Sequence, residues 1–117
     1  MTIILHIAER HSWELAILQG EYRPASLDEE GFIHCSLLEQ VVAVANALYR
    51  GRQNLVLLVI DPAKVPGDIH FEDCYETGQE FPHIYGPLPI NAVERMLGFA
   101  PGADGYFILP SDLEPDR

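Results

Sequence analysis

The run NLVLLVID at residues 54–61 constrains the fold of this chain more than any other stretch. An unbroken series of apolar, mostly branched residues is typical of a strand that is buried on both faces. Asp61 and Pro62 end the pattern, because proline lacks the N–H that the interior of a sheet needs. We therefore expect a central strand with other elements packed against both of its faces.

The first third of the chain predicts a strand and a helix. TIILHIA alternates as a strand, in which His6 shares a face with Ile4. SWELAILQG then fits a short helix that Ser12 caps and Gly20 stops. The following EYRPASLDEEG is predicted to be a polar loop.

A longer helix is predicted from SLLEQVVAVANALYRG, whose apolar residues recur at helical spacing up to Gly51. Ser36 and Glu39 have the S-x-x-E spacing of a capping box. This spacing gives Ser36 a structural role at the start of the helix.

The second half of the chain predicts further strands. DIHFEDC alternates and puts His70 and Glu72 on one face, whereas FPHIYGPLP, with its three prolines, is not expected to form a regular helix or a central strand. NAVERMLGF and YFIL are predicted to be two closing strands, although the first also fits a helix. Together the patterns predict one α+β domain over residues 1–117, with two helices packed on a mostly antiparallel sheet.

Acidic residues dominate the charge of the chain. Eighteen Asp and Glu against seven Lys and Arg give a formal net charge of −11 and a pI near 4.6. Because such a surface repels a phosphate backbone, we expect no nonspecific binding of nucleic acid. A local pocket with one arginine and backbone N–H groups can still accommodate the phosphate of a nucleotide.

The length of 117 residues fits one domain, and no apolar run approaches the roughly 20 residues that span a bilayer. The N-terminal segment also lacks the pattern of a signal peptide. We therefore expect no membrane association and a cytoplasmic location. Cys35 and Cys74 are expected to be reduced there, although a single bridge between them stays open. The sequence leaves the oligomeric state open.

His34 and Cys35 are neighbours in GFIHCS, and successive side chains of a strand point to opposite faces. Cysteine is among the most often buried residues, whereas an imidazole buried without a partner is costly. We assign Cys35 to the core and His34 to a candidate ligand site. The alternative is a core histidine that is hydrogen-bonded to a backbone carbonyl.

His83 and Tyr85 lie in the proline-rich FPHIYGPLP, and both side chains donate and accept hydrogen bonds. Because rigid loops with such groups often bind ligands, we expect this segment and GFIHCS to line one pocket. The alternative is a connection whose rings cover a sheet edge. Glu72, about 7 Å along the strand from His70, is a candidate acid–base carboxylate, although an exposed strand face gives the same pattern.

Histidines, Glu72 and two cysteines supply the atoms that bind transition metals. No H-x-x-x-H, H-E-x-x-H or C-x-x-C spacing accompanies them. The metal hypothesis therefore ranks below the pocket hypothesis, and we predict no metal site.

The motifs occur in a specific order. GFIHCS, then Gln40 and VAN, then FPHIYGPLP and GADGYFILP, resemble the bacterial family known as domain of unknown function 952, from ILHIA to YFILP. The resemblance implies a fold similar to that of ADP-ribosyltransferases and RNA 2′-phosphotransferases. Those enzymes bind NAD or an ADP-ribosylated intermediate in a cleft between two small sheets.

The resemblance also implies roles for individual residues. IHCS is similar to a His-x-Ser stretch in the cleft of the phosphotransferases, so His34 would contact a ribose on the nicotinamide side, with Ser36 beside it. His6 would take the place of the first cleft residue. Of the several arginines that bind phosphate in the phosphotransferases, only Arg23 lies near a candidate cleft segment here.

Two hypotheses of function follow. The first is a transferase or hydrolase acting on an NAD-like or ribosyl ligand, in which His34, His83 and Tyr85 orient the sugar and Glu72, or Glu94, supplies a carboxylate. The second is a noncatalytic module that recognises a metabolite or a partner protein. A carboxylate or arginine that converges on His34 favours the enzyme, and its absence favours the module.

Overall fold

The computed structural model describes residues 3–74 and 76–113, which form one small α+β domain. Its radius of gyration of 13.7 Å is close to the roughly 13 Å of a compact domain of about 100 residues. The helices of the described part are α1 (Arg10–Gln19), α2 (Ala25–Glu30) and α3 (Val41–Leu48). The strands there are β1 (Ile4–Glu9), β2 (Glu21–Tyr22), β3 (Ile33–His34), β4 (Leu55–Ile60), β5 (Asp68–Glu72), β6 (Phe81–Tyr85), β7 (Leu88–Pro89) and β8 (Val93–Phe99).

Strand β4 is the middle of an antiparallel sheet with the order β1-β4-β8, and all six of its residues are buried. Its side chains alternate between two core clusters: Val56, Leu58 and Ile60 belong to one, whereas Leu55, Leu57 and Val59 belong to the other. The second cluster includes Val41 and Ala45 of α3. The prediction of a strand buried on both faces is thus confirmed, and each such side chain contributes about 1.5–3 kcal/mol to the free energy of unfolding.

A second antiparallel sheet has the order β3-β6-β5, and β2 pairs with β7 in a two-stranded sheet. The α+β class with antiparallel sheets is therefore confirmed. The described residues contain three α-helices and not the two predicted, because residues predicted as the polar loop fold into β2 and α2. Gly31 ends α2 with φ +90°, a conformation that glycine adopts without strain.

The predicted helix starts are wrong. Helix α1 begins at Arg10, directly after β1, so Ser12 lies inside the helix; Gly20 does end it, in the left-handed conformation. Ser36 and Glu39 form no capping box, because α3 begins only at Val41 and its N-cap residue makes no side-chain cap bond. The backbone of Ser36 instead pairs with β1.

Two expectations for the second half are also wrong. FPHIYGPLP was expected to lie outside any central strand, yet β6 is the middle strand of its sheet. YFIL is not a strand: the amide group of Asn46 in α3 accepts a hydrogen bond from the N–H of Phe107 (2.7 Å) and donates one to its C=O (3.3 Å). NAVERMLGF does form a strand, β8.

No helix in the described part of the chain is long and apolar enough to cross a membrane.

Candidate functional site

An isolated β-bridge between Leu5 and Ser36 joins the two three-stranded sheets. The N–H of Leu5 donates to the C=O of Ser36, and the N–H of Ser36 donates back, both at 2.8 Å. Beyond this bridge β1 continues along β4 while β3 continues along β6. Two cavities border β1.

His6 lies in the wall of one of these cavities and joins three elements. Its Nδ1 is 2.5 Å from the carbonyl oxygen of His34, and its Nε2 is 2.8 Å from the hydroxyl of Tyr22. Because a carbonyl oxygen only accepts, the proton is on Nδ1, and Nε2 accepts from the Tyr22 hydroxyl. Burial lowers the pKa of His6 to about 4, so the ring is neutral at pH 7.

An apolar cavity of about 430 Å³ lies on one side of β1. Its walls come from β1, the His34–Ser36 stretch, α3 and the residues near the start of β6, and apolar surface dominates them. The polar side chains at its wall are His34, Ser36 and Thr77. The volume falls in the range of about 300–1,000 Å³ that is usual for small-molecule pockets.

A polar cavity of about 390 Å³ lies between β1, α1 and the β2–α2 segment. Its lining includes His6, Tyr22, Arg23 and Ser26. Ile7 lines both cavities. Arg23 forms ion pairs with Glu21 (3.4 Å) and Asp28 (3.7 Å).

His34 meets a carboxylate that the sequence analysis did not single out. Its Nε2 is 2.9 Å from Oε1 of Glu30, and the two side chains are 32% and 51% exposed. Cys35 is buried in the core, and burial raises the pKa of its thiol. The assignment of Cys35 to the core is confirmed, although Cys35 and His34 both line the apolar cavity.

Three histidines form a row across the second sheet. His83 is opposite His34 on one side and opposite His70 on the other. The ring of Phe32 stacks on that of His83, with centroids 4.2 Å apart and planes 16° apart. The ring of Phe32 contributes to the complete burial of His83. The three histidines lie on one face of the sheet, and the isoleucines of β3 and β6 that belong to the core lie on the other.

Glu72 is hydrogen-bonded to two side chains of the FPHIYGPLP segment. The hydroxyl of Tyr85 donates to its Oε1 at 2.6 Å, and His83 Nδ1 is 2.8 Å from the same oxygen. These hydrogen bonds, first that of Tyr85 and then that of His83, lower the pKa of Glu72. The bond to Glu72 in turn raises the pKa of Tyr85 to about 12.

The predicted site residues thus divide into three groups. The apolar cavity contains His34 and Ser36; the polar cavity contains His6 and Arg23; and Glu72 gathers His83 and Tyr85 on the second sheet. From FPHIYGPLP, only Phe81 lines the apolar cavity. Glu94 is an exposed residue of β8 that lines neither cavity.

Sequence reasoning missed Tyr22 and Glu30, which contact His6 and His34. Both residues lie in the segment predicted as a polar loop. The only local signal was the four-residue separation of Glu30 and His34, which indicates a contact only if the intervening chain turns.

The fold defines a class: small α+β domains with antiparallel sheets. Two solved structures of the protein CC0527 from Caulobacter crescentus have this architecture. The crystal structure is 36% identical, covers 92% of this chain and 95% of its own, and has a TM-score of 0.83. The solution NMR structure is 36% identical, with 91% of each chain covered and a TM-score of 0.78.

The family model DUF952, described as a protein of unknown function, matches residues 7–96. The chain therefore belongs to this family, as its motifs predicted. No curated protein matches it.

Proposed function

We propose that this domain binds an NAD-like or ribosyl small molecule in the cleft between its two sheets. The observation that carries the proposal is that β1 lines two cavities, one apolar and one polar, with Ile7 common to both. Binding pockets combine mostly apolar walls with a few placed polar groups. The proposed ligand is a small molecule of the same mixed character.

The chemistry of the two cavities matches the parts of such a ligand. The apolar cavity suits a flat base, and His34 and Ser36 at its wall suit the hydroxyl groups of a ribose. Arg23 in the polar cavity suits a phosphate, because its side chain is 49% exposed and its ion pairs are of the weak surface kind. A fold of the ADP-ribosyltransferase type is part of this proposal.

The Glu30–His34 pair supports a transferase. An imidazole whose Nε2 is 2.9 Å from a carboxylate oxygen is oriented and can take a proton from an attacking hydroxyl group. The carboxylate of the proposed enzyme is therefore Glu30, and not Glu72, which is held by His83 and Tyr85. This arrangement meets the criterion that a carboxylate converges on His34.

A noncatalytic binding module is the alternative, and one observation favours it. Among the described residues that line the two cavities, Arg23 is the only arginine, and there is no lysine. Phosphoryl and ribosyl transfer need charges that stabilise the transition state. A domain with so few cations binds such a ligand more readily than it transforms it.

Calorimetric titration with NAD, ADP-ribose and nucleoside monophosphates tests the proposal. We expect His34→Ala to weaken the binding at least tenfold while the melting temperature stays within a few degrees. His70→Ala is the matched control, because His70 is an exposed histidine that lines neither cavity, and it should change the affinity less than twofold. The proposal is contradicted if the wild type shows no heat of binding with any of these ligands at millimolar concentrations. It is also contradicted if the wild type and His34→Ala bind with equal affinity.

The release of nicotinamide from NAD, followed by chromatography, separates the enzyme from the module. An enzyme should lose turnover in Glu30→Gln while binding is retained. A binding module should show saturable binding and no release above the uncatalysed rate in the wild type.

A further inference from the structure

We infer that Glu72, Cys74 and His83 form a binding site for one transition-metal cation of the Zn²⁺ class. One donor atom from each side chain lies within 4.8 Å of the other two. His83 Nδ1 is 2.8 Å from Glu72 Oε1 and 3.8 Å from Cys74 Sγ. The pairwise motifs that predict such a site are absent from the sequence, since its ligands come from two antiparallel strands and the residues after β5.

These distances are close to what a tetrahedral ion requires. Bonds of about 2.0–2.3 Å from zinc to nitrogen, oxygen and sulfur place neighbouring ligand atoms about 3.3–3.7 Å apart. To bind the ion, the distance of 2.8 Å between His83 Nδ1 and Glu72 Oε1 has to increase slightly. The distance of 3.8 Å between His83 Nδ1 and Cys74 Sγ has to decrease slightly. Cys74 is exposed and lies beyond the end of β5, so its side chain has room to rotate.

The donor set selects the class of metal. A thiolate and an imidazole suit Zn²⁺ or Co²⁺, whereas Mg²⁺ and Ca²⁺ require oxygen ligands. Three protein ligands leave a fourth position for water or another small ligand, as in zinc sites that carry out chemistry. The carboxylate of Glu72 is one of the three donors, and a divalent cation would compensate its negative charge.

The surroundings hold the ligands in place. His83 is fully buried beneath the stacked ring of Phe32, so its orientation is fixed by packing. The Tyr85 hydroxyl donates to Glu72 at 2.6 Å, which orients the carboxylate as supporting groups of metal sites do. Nε2 of His83 has no hydrogen-bond partner among the described residues. Its polar contacts are all on the Nδ1 side, where the ion would bind.

Titration of the reduced protein with Co²⁺ tests this site. A Co²⁺ ion in a tetrahedral site with a thiolate ligand gives intense visible bands and a sulfur-to-cobalt charge-transfer band in the near ultraviolet. We expect one ion per chain, displaced by Zn²⁺. Cys74→Ala should abolish the charge-transfer band and weaken the affinity at least about 100-fold, since even changes to supporting groups cost 10–100-fold.

Cys35→Ala is the matched control, because Cys35 is the other free thiol and is buried in the core. It should leave the cobalt spectrum and affinity unchanged. The exposed position of Cys74 means that Cys74→Ala should fold, which its melting temperature checks. The inference is overturned if the wild type gives no saturable band below about 1 mM Co²⁺, if the band persists in Cys74→Ala, or if Cys35→Ala loses it.

The apolar and the polar cavity are lined by none of the three proposed metal ligands, Glu72, Cys74 and His83. The cobalt titration therefore succeeds or fails independently of the binding of NAD.

Discussion

At the scale of single residues, the environment of His6 decides its protonation state. The ring is enclosed between the carbonyl of His34 and the hydroxyl of Tyr22, and both contacts suit a neutral imidazole. Burial favours that form further, because a cationic ring would lose its hydration. His6 therefore acts as a hydrogen-bond donor and acceptor, and not as a cation.

The first prediction concerns the effect of pH through His6. Its pKa is about 6.5 when unfolded and about 4 when folded, so between these values the unfolded state binds the extra proton. The free energy of unfolding should therefore fall as the pH falls from about 6.5 to about 4. By pH 4.5 the loss should reach on the order of 2–3 kcal/mol, since each pKa unit corresponds to about 1.4 kcal/mol.

Urea unfolding of the wild type and of His6→Gln at pH 7 and pH 4.5 measures this effect. The glutamine cannot titrate, so the variant should lose less stability than the wild type over the same interval. Equal losses in the two proteins, or an imidazole resonance of His6 that titrates near pH 6.5, would contradict the prediction.

At the scale of elements, β6 shows how a proline is accommodated in a middle strand. The carbonyl of Pro82 accepts from the N–H of Cys35 at 3.0 Å. Facing residues of an antiparallel pair exchange both bonds, so the N–H that Pro82 lacks would have pointed to Cys35 as well. Strand β3 ends at His34, and the missing bond therefore falls where the pairing already stops. The presence of three prolines among the nine residues of FPHIYGPLP could not reveal that Pro82 lies where the pairing with β3 stops.

The second prediction concerns the connection of α3 to the segment after β8. Asn46 holds both backbone groups of Phe107, whose ring is 2% exposed in the second core cluster. Asn46→Ala leaves these groups without their partner, and we expect a loss of about 1–3 kcal/mol in the free energy of unfolding. Urea denaturation measures the loss. Asn91→Ala is the control, because Asn91 is exposed, and it should change stability by less than about 0.5 kcal/mol.

At the scale of the whole molecule, a formal charge of −11 on 117 residues is the dominant electrostatic feature. The arginine ion pairs in the described part of the chain lie at the surface, with every side chain at least 46% exposed. Pairs of this kind contribute little, about 0–1 kcal/mol each. Repulsion among the acidic residues is therefore not balanced by strong internal pairs, and it opposes the compact state.

The third prediction follows from that repulsion. Raising NaCl from about 10 mM to about 300 mM shortens the Debye length and should raise the melting temperature by on the order of 3–5 °C. Differential scanning fluorimetry measures the shift. The triple variant Glu14→Gln, Glu29→Gln, Glu94→Gln removes three exposed charges and should show a smaller shift. A melting temperature that is constant or falls with salt would contradict the role of repulsion.

The sequence by itself determined the features that depend on local period and composition. The apolar run of β4 predicted burial on both faces, the frequent burial of cysteine predicted Cys35 in the core, and Gly20 marked the end of α1. Helix starts were less predictable, because backbone contacts such as that of Ser36 with Leu5 displaced the expected caps.

Only the tertiary structure decided which reactive side chains meet. Glu30 reaches His34 because α2 forms between them, and Glu72 reaches His83 because the register of β5 and β6 sets them close together. Cys74 contacts His83 from the residues that follow β5. Such contacts depend on the order and register of strands that lie apart in the sequence, and no local pattern of residues encodes that pairing.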